Sequence, residues 1–181
     1  AYIAADLLSQ AEHDPLASAV LVTTSPKVAS QVSAALDSQL AALARRETAA
    51  ASLNRFGAIM VVPDLATAID FANRIAPEHL EVQVKDPLSH ISAIRNAGAI
   101  FLGEFTPEPV GDYVAGPNHV LPTAGTARYA SALSVDHFTK KSSLIQYSRD
   151  AFQKEAKDIV RLAEVEGLGA HAHAVRIRLK T

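Results

Sequence analysis

The chain contains no cysteine. Disulfides and thiolate chemistry are therefore excluded, and any metal must be held by histidine, carboxylate or amide side chains. Nor is one sign of charge in excess: 17 Lys and Arg stand against 19 Asp and Glu, for a net charge of -2 and a pI near 6.4. This balance gives no electrostatic reason to expect nucleic acid or an anionic membrane as partner. No apolar run approaches the ~20 residues that a membrane-spanning helix needs. The opening "AYIAADLL" lacks the basic flank and long apolar run of a secretion signal. The expected location is cytoplasmic, or plastid in a plant. The only methionine is Met60, so the chain is expected to start inside a longer protein. A G-x-G-x-x-G stretch is also missing, and with it the usual sign of independent dinucleotide binding.

What is present suits one α/β domain with a helical appendage. Hydrophobic residues make up 49% of the 181, enough for a buried core. Residues 4–13 read as a helix closed by Pro15, and "SAVLVTTS" (18–25) as a buried strand. Pro26 opens an Ala-rich helix to about Leu53, followed by the strand "AIMVV" (58–62) and a helix over 65–76 capped by Asp64. "LEVQV" (80–84) alternates like a strand, "PLSHISAIRNA" (87–97) reads as helical, and "AIFLGEF" (99–105) as another strand. This alternation predicts a mostly parallel sheet flanked by helices, an incomplete Rossmann-like arrangement. Residues 1–133 are expected to form that domain and 134–181 a small helical C-terminal extension. Within the extension, "SSLIQYS" (142–148) suits a strand, 149–165 an amphipathic helix, and "GAHAHAVRIRLK" a last short helix.

Between the two lies "EFTPEPVGDYVAGPNHVLPTAGTAR" (104–128), with four Pro and three Gly. So long a loop in a compact domain is either functional or disordered, and its apolar content favours function. Asp112 and His119 stand within it, either as site residues or as a turn cap and a histidine packed on prolines.

Other candidates are scattered. Gln10 and His13, at i and i+3, share a helix face and form either a ligand pair or a hydrogen-bonding helix end. Glu78 and His79 follow Pro77; a carboxylate beside a histidine suits general base chemistry, though a polar helix end has the same composition. His171 and His173, two apart on a helix, point to different faces, so at most one joins a site. Glu166 precedes a helix-breaking Gly167 and has an ordinary helix-end reading. By residue type, His13, Asp112 and His171 suit zinc or another divalent ion.

The phrases "DLLSQAEHDP", "IAPEHLEV", "EPVGDYVAGPNHVLPTAGTARYASALSV" and "EGLGAHAHAVRIR" resemble the histidinol dehydrogenases, in that family's order and across essentially the whole chain. The resemblance covers the family's later part; the earlier part, which supplies the contacts to NAD, is not in this sequence. It implies oxidation of L-histidinol to L-histidine through histidinal, in the last steps of histidine biosynthesis, using NAD and one zinc ion per site. It implies zinc ligands at Gln10, His13, Asp112 and His171 and an acid–base pair at Glu78 and His79. Substrate contacts are implied for His119 and Glu166, together with His79 and the four ligands. It also implies a homodimer whose C-terminal arm is exchanged, so that Glu166 and His171 reach the partner's site. Two other readings stand beside it: a zinc-dependent hydrolase that uses no nicotinamide, and a folded piece with no activity by itself.

Overall fold

A computed structural model describes residues 1–179. Two compact units divide between Phe138 and Thr139.

The first unit begins with α1 (Tyr2–Ala11), β1 (Val20–Thr23) and α2 (Pro26–Leu40). Pro26 sits at the start of α2 with its φ preset, and the Ser25 hydroxyl oxygen accepts the Val28 N–H at 3.3 Å. The single long helix expected to Leu53 is in fact two. The chain turns after Leu40, and α3 covers Arg46–Phe56. A straight helix of that length would run roughly 42 Å and carry its far end away from α1. The turn instead lets Leu36 and Leu40 of α2 and Leu53 of α3 pack on one core of Leu8, Ala11, Ala19 and Ala49. The buried Ser52 hydroxyl locks α3 down by donating to the Ala17 carbonyl at 2.9 Å.

Next come β2 (Ala58–Val61), α4 (Leu65–Ile75), β3 (His79–Val82) and β4 (Ala99–Leu102). The Asp64 carboxylate caps α4 by accepting the Thr67 N–H at 2.7 Å, which holds its carboxyl below the usual carboxylate range. The strands are parallel, but they form two separate pairs rather than one sheet: Val20 opposite Ala58 in the first, His79 opposite Ala99 in the second. Between the pairs, Ala76 takes a left-handed φ of 52° and Pro77 offers no N–H, so the chain is redirected before β3.

The helix expected over 87–97 is a 3₁₀ segment, Pro87–Ala93. Buried Asn73 explains the early stop. Its Oδ1 accepts the Arg95 and Asn96 N–H groups, and its Nδ2 donates to the Ala93 carbonyl, so the backbone there bonds to a side chain instead of continuing a helix. Residues 104–128 are not wholly irregular, since a short helix α5 (Glu108–Tyr113) forms within them.

In the second unit, residues 139–148 form no strand: the segment is irregular, with Leu144 and Ile145 exposed. An apolar run alone does not make a strand; it needs a neighbour to take its backbone hydrogen bonds. Helices α6 (Arg149–Val165) and α7 (Gly169–Arg178) form a hairpin. Gly167, at φ 73°, ends α6, with its N–H on the Glu164 carbonyl and the Leu168 N–H on the Ala163 carbonyl. Buried Ala156, Ala163 and Ala172 let these helices approach closely, and Arg176 pairs with Glu164. Among the described residues no helix is long and apolar enough to cross a membrane.

Candidate functional site

The polar residues of the first unit gather where α1, β3 and α5 meet. His79 opens β3, fixed by the neighbouring chain: the Gly98 N–H donates to the Pro77 carbonyl and the Ala99 N–H to the Glu78 carbonyl, at 2.9 and 2.8 Å. This close approach needs glycine, because a Cβ on Gly98 would stand 2.6 Å from the Glu78 oxygen. The His79 ring meets Phe101 of β4 edge-on, with centroids 5.9 Å apart. Phe101 in turn packs against Gly111 of α5, where a Cβ would lie 2.7 Å from the ring. A missing side chain at Gly111 thus lets α5 carry Asp112 in beside His79.

His79 Nδ1 lies 3.0 Å from Gln10 Oε1. In the neutral ring Nδ1–H donates to that carbonyl oxygen and Nε2 keeps a lone pair. Burial lowers the His79 pKa, against the opposing charges of Glu78 and Asp112, and His13 adds to the lowering. The ring is therefore neutral at pH 7 and able to take a proton.

Ligand atoms of His79, Glu108 and Asp112 all lie within 4.8 Å of one another. One imidazole and two carboxylates form a donor set that suits zinc or another divalent ion. Burial raises the Glu108 pKa to about 7, helped by a hydrogen bond and charge from Asp112 and by the charges of Glu81 and Glu78. Glu81 is also raised to about 7, again chiefly by burial. Its Oε1 accepts the Glu108 N–H at 3.1 Å, and its Oε2 accepts from Gln83 Nε2, which also donates to Asp6. A cation placed among these crowded carboxylates would relieve their repulsion.

The structure thus brings Gln10, His79 and Asp112 into one cluster, with Glu78 and His13 near enough for their charges to be felt at His79. His119 is exposed in the irregular stretch after α5. Glu166 and His171 belong to the second unit and are exposed there, as is His173. Sequence reasoning missed Glu108, Glu81, Gln83 and Asp6. Two signals point to the first three: Glu108 precedes Asp112 by four residues in a segment begun by proline, and His79, Glu81 and Gln83 follow one another at every second position along and just past β3.

Fold and cluster define a class: an α/β protein with a half-buried group of one histidine and two carboxylates whose ligand atoms are close enough to hold a metal ion. The model of the family described as histidinol dehydrogenase matches residues 1–179, and the chain belongs to that family. It is 58% identical over 179 residues to the histidinol dehydrogenase of Oleidesulfovibrio alaskensis, covering 99% of this chain and 41% of that protein. Against that of Caldanaerobacter subterraneus subsp. tengcongensis it is 54% identical, covering 98% of this chain and 41% of the relative. The crystal structure of histidinol dehydrogenase from Elizabethkingia anophelis superposes with a TM-score of 0.90 at 39% identity, over 99% of this chain and 41% of that one. The chain therefore spans about 41% of the length of these relatives.

Proposed function

We propose that this chain supplies the acid–base and metal-binding part of a histidinol dehydrogenase, which oxidises L-histidinol to L-histidine through histidinal with NAD as hydride acceptor. The observation that carries the reading is His79: neutral, oriented by Gln10, and set beside Asp112 and Glu108 in a chain of this family. In the first oxidation, His79 Nε2 takes the hydroxyl proton as hydride leaves the alcohol carbon. Glu78 then takes a proton from the water that adds to the aldehyde. As the water adds, His79 returns its proton to the carbonyl oxygen, giving the hydrate and restoring the neutral ring. The hydrate then loses a second hydride to a second NAD, and His79 accepts the hydroxyl proton, which leaves the acid.

The donor types fit zinc, with Asp112 in the grouped set, Gln10 on the His79 ring, and His13 in the turn two residues past the end of α1 rather than on the helix face expected from the sequence. The resemblance assigns the remaining ligand role to His171 and substrate contacts to His119 and Glu166. Bound there, zinc would supply orientation and polarisation of the substrate. A homodimer is part of the same reading, supported by the exposed Leu144 and Ile145 of the irregular segment.

The test is reduction of NAD by histidinol in the complete protein carrying this sequence, with zinc content measured in parallel. Two equivalents of reduced nicotinamide per histidine formed are expected. Turnover of an ester or amide with no reduced nicotinamide would replace this reading with that of a hydrolase.

A further inference from the structure

The residues at the meeting of α1, β3 and α5 lie in two layers. The upper layer holds Gln10, His79 and Asp112. The lower layer holds Asp6, Glu81 with Gln83, and the backbone N–H of Glu108, joined by hydrogen bonds, while the Glu108 carboxylate reaches the upper layer beside His79 and Asp112. Each lower residue sits one structural repeat from an upper one on the same element. Asp6 precedes Gln10 by one helical turn, Glu108 precedes Asp112 by one turn, and Glu81 follows His79 by two residues on the same strand face.

We propose that Glu81, acting with Gln83, is a positioning residue that fixes α1 and α5 to β3 and so sets the spacing of Gln10, His79 and Asp112. One carboxylate serves both arms. Its Oε1 accepts the Glu108 N–H at 3.1 Å, an amide at the start of α5 that has no partner within the helix. Its Oε2 accepts from Gln83 Nε2 at 2.8 Å, and the same amide nitrogen donates its other proton to Asp6 Oδ2 at 2.9 Å. Helix α5 has only six residues and carries glycine at position 111, so its own backbone bonds hold it weakly. Its place depends on the Phe101 contact at Gly111 and on this hydrogen bond at its first residue. Nothing in the proposed chemistry uses Glu81, which stands below the reacting groups.

The inference rests on the metal-binding reading only for its second readout, so the two can fail separately. The first readout is hydrogen exchange at the α5 amides of the full chain, with α6 as the internal reference. Glu81→Ala should speed exchange at Val114 and Ala115 about tenfold or more and leave α6 unchanged. Glu81→Gln keeps an oxygen for the Glu108 amide and should restore most of the protection, which a general loss of packing would not do. Gln83→Met keeps the α5 arm and cuts the α1 arm; α5 exchange should stay slow while the His79 ring signal shifts as Gln10 moves. The second readout is Zn²⁺ titration of the same variants, where Glu81→Ala should weaken binding about tenfold and Glu81→Gln by much less. Unchanged α5 exchange in Glu81→Ala, or equal effects of Ala and Gln at position 81, would overturn the proposal. If the unsubstituted chain took up no zinc, the metal reading would fall while the exchange measurements still decided the role of Glu81.

Discussion

Helices packed with alanine and leucine surround the strands β1 and β2, whereas β3 and β4 lie beside a histidine and several half-buried carboxylates. Both pairs are parallel and four residues long. Around the first, Leu8, Ala11, Ala19 and Ala49 form a core with leucines from three helices, and the buried polar Ser52 is fully satisfied. Around the second, burial raises two carboxyl groups to about 7 and lowers a histidine. The first pair is arranged for cohesion. The second holds carboxyl groups that keep their protons to a pH that water would not allow, beside a histidine whose neutral form is favoured by burial.

The sharpest way to break this comparison is to remove the base. His79→Asn should lower histidinol turnover in the complete protein by ~10²–10⁴-fold, the usual span for a positioned general base. Zinc content by elemental analysis should fall far less, because His79 moves protons in this reading and Gln10 holds its Nδ1 side. Loss of zinc in step with activity would make His79 a ligand alongside Glu108 and Asp112, as their 4.8 Å grouping also permits. Its neighbour separates the two oxidations: Glu78→Gln should spare the alcohol step and slow aldehyde to acid, read by histidinal accumulating.

Next in size is Gly111→Ala. The added Cβ would stand 2.7 Å from the Phe101 ring, so either the ring or α5 must move. Overpacking of this kind costs about 1–3 kcal/mol, measurable by urea unfolding. Because Phe101 also touches His79, zinc binding and turnover should drop together with stability. Full activity in a destabilised Gly111→Ala would show that α5 does not govern the site.

Much of the first strand pair was legible in the sequence, and less of the second. Pro26 and Asp64 announce helix starts through chemistry internal to a few residues, and the helices begin there. The break after Leu40 was not legible, because an Ala-rich stretch favours helix throughout and only packing of α2 and α3 on α1 requires a turn. The 3₁₀ segment after Pro87 was hidden for a similar reason: it is shaped by Asn73, some twenty residues earlier. Glu78, His79 and Asp112 could be picked out beside proline and glycine, in motifs with a family likeness. Glu81 and Gln83 offered only their alternation with His79, and Asp6 only its place one turn before Gln10, because a polar residue reads as solvated until its partners are known.

The half-buried carboxylates beside the second strand pair also predict a pH dependence of stability. Glu81 has a folded pKa of about 7, above its ordinary value of 4.5. Such a group binds its proton more tightly folded than unfolded, so its contribution is fully present below about 4.5 and is lost as pH rises through about 7. The first unit should therefore be less stable at pH 8 than at pH 5.5 in metal-free buffer. Glu81→Gln should reduce that dependence, matching the parent at low pH and exceeding it at pH 8, with the remaining slope due to Glu108, which is also raised to about 7. A parent whose urea midpoint does not fall over this interval would show that Glu81 is ionised without cost.

The smallest expected effect sharpens the contrast from the other side. Ser25 caps α2 through the Val28 N–H, and its hydrogen bonds run to Thr23, Val28 and Ala29, none of them a residue of the cluster. Ser25→Ala leaves that amide without its side-chain acceptor and should cost about 1 kcal/mol. Pro26 at the first helical position keeps its preset φ, so the helix start itself should persist. Urea unfolding should then show a modest fall in midpoint with an unchanged slope, and zinc affinity and the His79 ring signal should stay as in the parent. A cap loss that moved either of these would mean that the packing around β1 and β2 is transmitted to β3, and that the two strand pairs are not energetically separate.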